Sequence, residues 1–205
     1  MKSIEELIQT VQKQEHGFLV IQSEAELFVK ENSIEKCLAT SRELLSSDVM
    51  QARALATFVL GFIAAESDEA FTILKDKVSK DESWQVQEIL AKAFDQHCSD
   101  IGYEKALPVI KEWLKNDNPN VRRAVTEGLR IWTGRPYFKD NPKEAIKLLS
   151  QLKADESEYV RKSVGNALRD ISKKHKSLIK AEVATWNLSD KKVNQTYKLA
   201  SKFLN

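Results

Sequence analysis

Apolar side chains recur along this 205-residue chain at the spacing of helices with one buried face. Two stretches show the spacing most clearly, and their apolar members are Val121, Val125, Leu129 and Trp132, then Val160, Val164, Leu168 and Ile171. Residues three and four apart lie on the same side of a helix, so each stretch predicts one amphipathic helix. Only six glycines and four prolines interrupt the chain, which favours long helices over short strands joined by turns.

These helices belong to a longer repeat. In each repeat an acidic or polar turn precedes an apolar anchor residue, and the anchors are Ala52, Val86, Val121, Val160 and Val193. Their spacings are 34, 35, 39 and 33 residues. A period of this length is typical of two antiparallel helices and two turns. Such a pair cannot bury its apolar face alone, so successive pairs are expected to stack.

The predicted fold is therefore all-α, an α-α superhelix (solenoid) of HEAT-like repeats. We expect residues 1–205 to form a single domain, with N-terminal capping helices over 1–44 and repeats over 45–205. Ser3 and Glu6 have the spacing of a capping box at the start of the first helix. Residues 133–142 are predicted to be the one substantial loop, which accounts for the longest anchor spacing. A plain helical bundle with chance similarity between its segments stays open as an alternative.

Charge is distributed unevenly along the chain. The formal net charge is only +2, yet residues 105–180 contain 18 Lys and Arg against 9 Asp and Glu. A basic half in a nearly neutral protein favours a polyanionic partner. No apolar run approaches the ~18–20 residues of a membrane span, and the N-terminal residues lack the pattern of a signal peptide. Cys37 and Cys98 are expected to be reduced thiols of a cytoplasmic protein.

One face of the second helix in each repeat carries the candidate chemistry. Positions two, six and ten residues after an anchor share this face, and stacking aligns such faces into a concave binding surface. On or beside it lie Glu88, Lys92, Arg122, Arg123, Glu127, Arg130, Arg161, Lys162, Asn166, Arg169, Asp170 and Lys173. Rows of Arg and Lys suit the regularly spaced phosphates of a nucleic-acid backbone. A charged face that contacts only solvent is the alternative.

Two of the acids on this basic face, Glu88 and Asp170, interrupt its cations. A carboxylate among phosphate-binding cations repels phosphate and weakens binding. Its presence on such a face therefore indicates a separate function. Ion pairing with Lys92, Lys173 or Arg169 is the structural alternative. The two acids are therefore the candidates for chemistry on this surface.

Two tryptophans lie near the candidate residues. Trp84 precedes Glu88 by one helical turn and can share its face, whereas Trp132 ends an apolar stripe and is expected to be core, cleft wall or both. The sequence has no HExxH or CxxC spacing, no Gly-rich phosphate loop and no nucleophile elbow. No metal site is therefore predicted.

Three stretches resemble a known family. Residues 157–166, Ser-Glu-Tyr-Val-Arg-Lys-Ser-Val-Gly-Asn, with Asp-Ile-Ser-Lys-Lys-His at 170–175, are similar to a motif of the bacterial alkylpurine DNA glycosylases built from HEAT-like repeats. Within this AlkC and AlkD group, the motif resembles the AlkC branch more closely. Residues 121–130 with Trp132 and Arg135 form a second match, and Ser83-Trp84 with Glu88 a third. The resemblance covers roughly residues 45–186.

The resemblance implies an activity and its residues. Members of the family excise purines alkylated at N3 or N7, whose positive charge weakens the glycosidic bond. By position, Glu88 and Asp170 would be the carboxylates that stabilise the developing sugar cation or position water. Trp84 and Trp132 would pack against the sugar or the cationic base. The implied partner is double-stranded DNA, which a monomer would bind without a metal or organic cofactor. The implied contacts to DNA are Arg122, Arg123, Arg130, Arg135, Arg161, Lys162, Asn166, Arg169 and Lys173.

The sequence departs from the family pattern at three positions. Asn166 stands where the AlkD branch has a second Trp, and Glu88 stands where that branch has Asp. Arg169 stands where the AlkC branch usually has Asn. The first departure predicts an incomplete aromatic cleft. Beside a DNA glycosylase of base excision repair, two alternatives therefore stay open: a DNA-binding relative without catalysis, and a HEAT scaffold for a protein partner.

Overall fold

The computed structural model describes residues 2–14 and 16–204. Within these ranges the chain forms thirteen α-helices and two 3-10 helices and contains no β-strand. The α-helices are α1 (Ile4–Val11), α2 (Leu19–Glu31), α3 (Ile34–Leu44), α4 (Met50–Ile63), α5 (Asp68–Asp76), α6 (Trp84–Ile101), α7 (Leu107–Trp113), α8 (Pro119–Gly128), α9 (Pro136–Asp140), α10 (Pro142–Ser150), α11 (Glu158–Ser172), α12 (Lys176–Val183) and α13 (Lys191–Ala200). The 3-10 helices are Val78–Lys80 and Trp132–Gly134. The predicted all-α class is confirmed, and none of the helices in the described ranges is long and apolar enough to cross a membrane.

The predicted anchors occupy the same place in five helices. Each anchor is the buried third residue of α4, α6, α8, α11 or α13. Polar residues of the preceding turns cap two of these helices: Asn118 accepts from the N–H of Asn120, and Asp190 accepts from the N–H of Lys192. The capping box at the start of α1 is also confirmed. Each anchor of the sequence repeat therefore marks the first turn of a helix.

The first compact unit comprises Met1–Ile101 and is built around α4. Ten of the fourteen residues of α4 are buried, where the helix packs against α2, α3 and α6. Gly61 allows α4 to approach α6 closely, because a Cβ atom added there would lie 2.6 Å from the Cβ atom of Ala93 in α6. The missing side chain lets the two backbones meet.

The second compact unit comprises Gly102–Asn205 and is built around α11. Ten of the fifteen residues of α11 are buried, and the helix packs against α8 and α13. Gly165 is the point of close approach to α13. A Cβ atom added to it would lie 2.7 Å from Leu199 Cβ and 3.0 Å from the carbonyl oxygen of Thr196.

Residues 133–142 do not form the loop predicted from the sequence. The 3-10 helix Trp132–Gly134 leads into α9, which begins at Pro136. Proline suits the first position of a helix because its φ is fixed near the helical value and its missing N–H needs no partner there. Phe138 is buried, with its ring centroid 4.9 Å from that of Trp132. Burial of this aromatic pair accounts for an ordered helix in place of a loop.

Candidate functional site

Asp170 is the centre of a charged cluster in the second unit. It lies near the end of α11, and its side chain is only 7% exposed. The Oδ1 atom is 3.0 Å from Lys173 Nζ and 3.5 Å from Arg169 Nη2. The Oδ2 atom accepts a hydrogen bond from Arg130 Nε at 3.2 Å. Three cations therefore surround one buried carboxylate.

The surroundings of Asp170 act on its pKa in opposite directions. Burial raises the pKa, because a carboxylate in the protein interior loses its hydration. The hydrogen bonds from Lys173 and Arg130, together with the charges of Arg169 and Lys173, lower the pKa and outweigh burial. The pKa of Asp170 therefore lies below its ordinary value, and the group is a carboxylate at neutral pH.

Glu127 is a second acid in the same place. Its Oε1 atom is 3.0 Å from Arg130 Nη1, and its Oε2 atom accepts a hydrogen bond from Ser163 Oγ at 2.9 Å. Ser163 accepts in turn from Thr126 Oγ1 at 2.9 Å, which ties α8 to α11. The sequence placed Glu127 on the basic face without a role, and its spacing of three from Arg130 was the available signal. The set that we call the Asp170 cluster is Glu127, Arg130, Ser163, Arg169, Asp170 and Lys173.

Two cations of the Asp170 cluster are much more exposed than its two acids. The side chains of Arg130 and Lys173 are 43% and 59% exposed. Lys173 Nζ also lies 5.7 Å from the ring centroid of Phe203, a partly exposed residue after α13. An anion that approaches this surface therefore meets positive charge before it meets a carboxylate.

Ile131 forms a strained turn directly after Arg130. Its φ of 60° lies in the left-handed region, and among the described residues no other non-glycine has a positive φ. A backbone conformation so rare for a β-branched residue costs on the order of 1–3 kcal/mol. The turn starts the 3-10 helix, because the carbonyl oxygen of Ile131 accepts from the N–H of Gly134 at 2.7 Å. The side chain is 57% exposed, so its burial does not offset the strain.

Trp132 belongs to the core of the second unit. It has no exposed surface, and its Nε1–H points to the carbonyl oxygen of Thr126 at 3.5 Å. Of the three roles left open by the sequence, the structure supports core packing. Contact with a sugar or base would need this ring to leave its place against Phe138.

Arg122 and Arg161 face neighbouring repeats and not a ligand. Arg122 pairs with Asp155, and Arg161 Nε donates to Gln195 Oε1 at 2.8 Å. Each Nη1 atom also donates to two backbone carbonyls of the turn before its own helix. These hydrogen bonds within the fold favour a structural role for both arginines over the contacts to DNA phosphates expected from the sequence.

Lys162 is one of the predicted phosphate contacts that does reach the surface. It is exposed on α11, where it pairs with Glu158 at 2.6 Å. Its Nζ atom lies 6.0 Å from the ring centroid of Tyr159, which is also exposed. An exposed ion pair of this kind is weak and can exchange its anion for another.

The other predicted phosphate contacts in the second unit are half-buried. Arg123 lies on α8 and Asn166 on α11. Arg135 precedes α9, with its guanidinium carbon 6.0 Å from the ring centroid of Tyr103 and its Nη2 atom donating to the carbonyl oxygen of Gly128 at 3.4 Å. Of the predicted phosphate contacts, the Asp170 cluster brings together Arg130, Arg169 and Lys173.

Trp84 is the exposed aromatic of the first unit. It begins α6, its surface is 68% exposed, and it lines a cavity of about 170 Å³ together with His16, Phe18 and Gln51. A large apolar ring with a polar edge is well suited to contact a planar ligand. The cavity was not predicted, because it depends on a segment that lies more than sixty residues earlier in the chain.

Glu88 and Lys92 follow Trp84 on α6 at intervals of one turn. Glu88 is half-buried and Lys92 is exposed. The Lys92 Nζ atom lies 5.6 Å from the ring centroid of Phe18 and 6.0 Å from that of Phe58. The predicted face of α6 is therefore a strip that joins an aromatic, an acid and a cation.

The two cysteines and His97 pack within the fold. Cys37 and Cys98 are free and buried, and burial raises the pKa of the Cys37 thiol. His97 stacks on Phe71 at 4.0 Å between ring centroids, and burial lowers its pKa. In the described ranges, no three His, Cys, Asp or Glu side chains are grouped so as to hold a metal ion.

Comparison with known proteins identifies the family of this chain and a similar structure. The profile of a protein family described as DNA alkylation repair enzyme matches residues 20–200. The crystal structure of AlkD2 from Streptococcus mutans is 51% identical to this chain, with a TM-score of 0.95, and the match covers 99% of this chain and 100% of AlkD2.

Two further proteins match this chain over part of their own length. Pseudomonas fluorescens AlkC, an alkylpurine DNA glycosylase bound to DNA containing an abasic site analog, is 23% identical with a TM-score of 0.54. That match covers 100% of this chain and 65% of AlkC, and at this identity it shows a shared fold. The uncharacterized protein YhaZ of Bacillus subtilis is 39% identical over 87 residues, which span 40% of this chain and 24% of YhaZ. Over the whole chain the identity to AlkD2 thus exceeds that to AlkC, although the C-terminal motif resembled AlkC.

Proposed function

Because this chain belongs to the DNA alkylation repair enzyme family, we propose that it binds alkylated duplex DNA and excises purines alkylated at N3 or N7. The reaction is hydrolysis of the N-glycosidic bond, the first step of base excision repair. The observation that carries the proposal is the Asp170 carboxylate, which stays ionised beneath two solvent-exposed cations. AlkC, whose fold this chain shares, is an alkylpurine DNA glycosylase.

DNA phosphates compete with Asp170 for the exposed cations. Arg130 and Lys173 are long side chains that can turn outward to a phosphate, whereas Arg169 is largely buried and stays at the carboxylate. Binding then releases counterions and is weakened by salt. It also removes two of the three positive charges that neutralise Asp170, so the carboxylate regains its electrostatic effect only when DNA is bound.

The chemistry requires a carboxylate and water. An alkylated purine carries a positive charge, and when the bond between its nitrogen and C1′ breaks, the electron pair stays with the base and neutralises it. The sugar becomes an oxocarbenium ion, which an ionised carboxylate stabilises. Water bonds to C1′ and gives up one proton, leaving the free alkylpurine and an abasic sugar. We propose Asp170 as the stabilising carboxylate and keep Glu88 as a second one, to be tested separately.

Residues outside the Asp170 cluster complete the proposal. Trp84 is proposed to pack against the sugar or the cationic base, and its exposure supports this role. Arg123, Arg135, Lys162 and Asn166 are proposed as further contacts to the DNA backbone. We propose that the protein acts in the cytoplasm as a monomer, without a metal or organic cofactor.

The test is base release from a duplex that contains one N7-methylguanine or one N3-methyladenine. Under single-turnover conditions the wild-type protein should release the base well above the protein-free background. Asp170→Asn and Glu88→Gln should each lower the rate about a hundredfold or more, the usual cost of losing a group that stabilises the transition state. The affinity of Asp170→Asn for the duplex should be unchanged or higher, because an anion has been removed from the cationic surface.

Asp140→Asn is the matched control, since Asp140 is an exposed aspartate of the same unit outside the Asp170 cluster. It should leave release unchanged. Circular dichroism must show that each variant is folded. If the folded wild-type protein releases neither base, the glycosylase proposal is wrong. If Asp170→Asn and Glu88→Gln both release it at the wild-type rate, the assignment of these two carboxylates is wrong.

A second candidate is a DNA-binding relative without catalysis. One observation favours it: Asp170 has little exposed surface and three cationic partners, which is also the arrangement of a carboxylate that only positions Arg130 and Lys173. In that case the wild-type protein binds duplex DNA in a salt-dependent way but releases no base. The release and binding measurements described above distinguish the two candidates.

A further inference from the structure

Ile131 has a side chain that its own turn does not require. The turn between α8 and the 3-10 helix needs a left-handed residue, and glycine would adopt that conformation without strain. The isoleucine side chain adds little to the core, since more than half of its surface is exposed. An exposed apolar group held at a strained backbone position is a feature from which a function can be inferred.

The place of Ile131 indicates its partner. It follows Arg130, whose guanidinium is part of the exposed positive surface over the Asp170 cluster. Trp132, the next residue, is locked in the core, and the carbonyl oxygen of Ile131 is bound by the N–H of Gly134. The side chain is therefore exposed on an anchored backbone, next in the chain to an exposed cation. This combination fits a polyanion that also offers apolar surfaces, as the stacked bases of duplex DNA do.

We propose that Ile131 is a wedge that enters between two base pairs, or against the sugars of one step, when the Asp170 cluster binds the neighbouring phosphates. Apolar wedges of this kind unstack a base step and kink the duplex. The proposal rests on the DNA binding proposed above but does not depend on catalysis. Its consequence is that the protein selects steps that are easily unstacked, such as those next to a damaged or mispaired base.

The experiment uses duplexes with 2-aminopurine at successive positions around a single mismatch, since 2-aminopurine becomes fluorescent when it is unstacked. Wild-type protein should raise the fluorescence at one or two adjacent positions. Ile131→Asn keeps a residue that tolerates the left-handed conformation but removes the apolar side chain. It should abolish the fluorescence rise and weaken binding about tenfold. Ile131→Leu keeps an apolar group and should retain most of the signal.

Thermal stability separates the wedge from a structural role. Ile131→Asn and Ile131→Gly should both raise the Tm by about 2–6 °C because they relieve strain. A variant that is more stable yet binds DNA less well cannot have lost binding through unfolding. Leu188→Asn is the matched control, because Leu188 is another exposed apolar residue of the second unit, and it should change neither signal nor affinity.

The outcomes of these experiments distinguish a failure of the wedge from a failure of the proposed function. If the wild-type protein binds but no position brightens, or if Ile131→Asn brightens the duplex as the wild type does, the wedge is wrong while the proposed function stands. If Ile131-dependent unstacking occurs without base release, the wedge is right and the glycosylase proposal is wrong. If wild-type protein does not bind duplex DNA, both are wrong, and the exposed isoleucine is then to be assigned to a protein contact.

Discussion

Arg122 and Asp155 join two successive repeats through a pair of parallel hydrogen bonds. Arg122 Nε donates to Asp155 Oδ2 at 2.7 Å, and Arg122 Nη2 donates to Asp155 Oδ1 at 2.8 Å. Arg122 Nη1 donates to the carbonyl oxygens of Asn116 and Asp117, which lie in the turn before α8. One guanidinium therefore satisfies the turn of its own repeat and holds the acid that precedes the next anchor helix.

The same arrangement recurs one residue after other anchors. Arg53 pairs with Asp81 and donates to the carbonyl oxygen of Ser47. At the next anchor Gln87 takes the position of the arginine and donates to the carbonyl oxygens of Val78 and Asp81. This position of the repeat is therefore structural.

Arg122→Lys should destabilise the fold without weakening DNA binding. Lysine cannot form the paired bonds to Asp155 and reach the turn carbonyls at once. Losing a hydrogen bond to the buried Asp155 carboxylate is expected to cost roughly 1.5–3 kcal/mol, measured by urea denaturation. Lys180→Ala, a change at an exposed lysine of α12, serves as the control and should cost almost nothing. A loss of DNA affinity in Arg122→Lys under conditions where it is fully folded would restore this arginine as a phosphate contact.

Gly165→Ala should also destabilise the second unit. The new methyl group would overlap Leu199 and the backbone of α13, so the two helices must move apart. Overpacking of this kind typically costs about 1–3 kcal/mol. Gly134→Ala is the matched control, because an added Cβ atom there meets only Ile131 at an ordinary 3.6 Å. Equal denaturation midpoints for the two variants would contradict the close packing of α11 on α13.

The lowered pKa of Asp170 predicts a pH-dependent share of the stability. A carboxyl whose folded pKa is depressed contributes stability above its unfolded pKa, which for aspartate is ~3.9. That contribution is lost as the pH falls through the folded pKa. Asp170→Asn should therefore be less stable than the wild type by a constant amount above about pH 5, and the difference should shrink below about pH 4. A difference that stays constant down to pH 3 would show that the loss is steric.

Trp84 and Trp132 should respond differently to truncation. Trp132→Ala empties a fully buried site and should cost about 3–5 kcal/mol, whereas Trp84→Ala removes an exposed ring and should leave the Tm nearly unchanged. Because the other three tryptophans are buried, Trp84 should account for the fluorescence that iodide quenches. Duplex DNA should protect Trp84 from iodide. Unchanged quenching in a saturated complex would remove Trp84 from the proposed interface.

Lys173→Ala should reduce the salt dependence of DNA binding. Loss of one phosphate contact lowers the slope of log affinity against log salt by about 0.9. Lys180→Ala changes the formal charge by the same amount on α12 and should leave the slope unchanged. If both variants shift the slope equally, the effect is one of total charge and the Asp170 cluster is not the contact point.

The amino-acid sequence by itself determined the helices and their repeat. The anchors Val121 and Val160 could be read from the spacing of apolar residues, because helix periodicity and the polar turn before each anchor are properties of neighbouring residues. The basic character of the second half, and the candidacy of Asp170, likewise followed from residue types and positions alone.

Only the tertiary structure decided what each side chain on the basic face does. Arg122 looked like a phosphate contact because its partner Asp155 lies 33 residues later in the sequence, and only the packing of the next repeat brings the two together. Phe138 turned a predicted loop into a helix because its burial depends on the ring of Trp132. Burial and long-range pairing depend on the whole fold. They separate the basic residues of this face into arginines that hold the repeats together and exposed cations near Asp170.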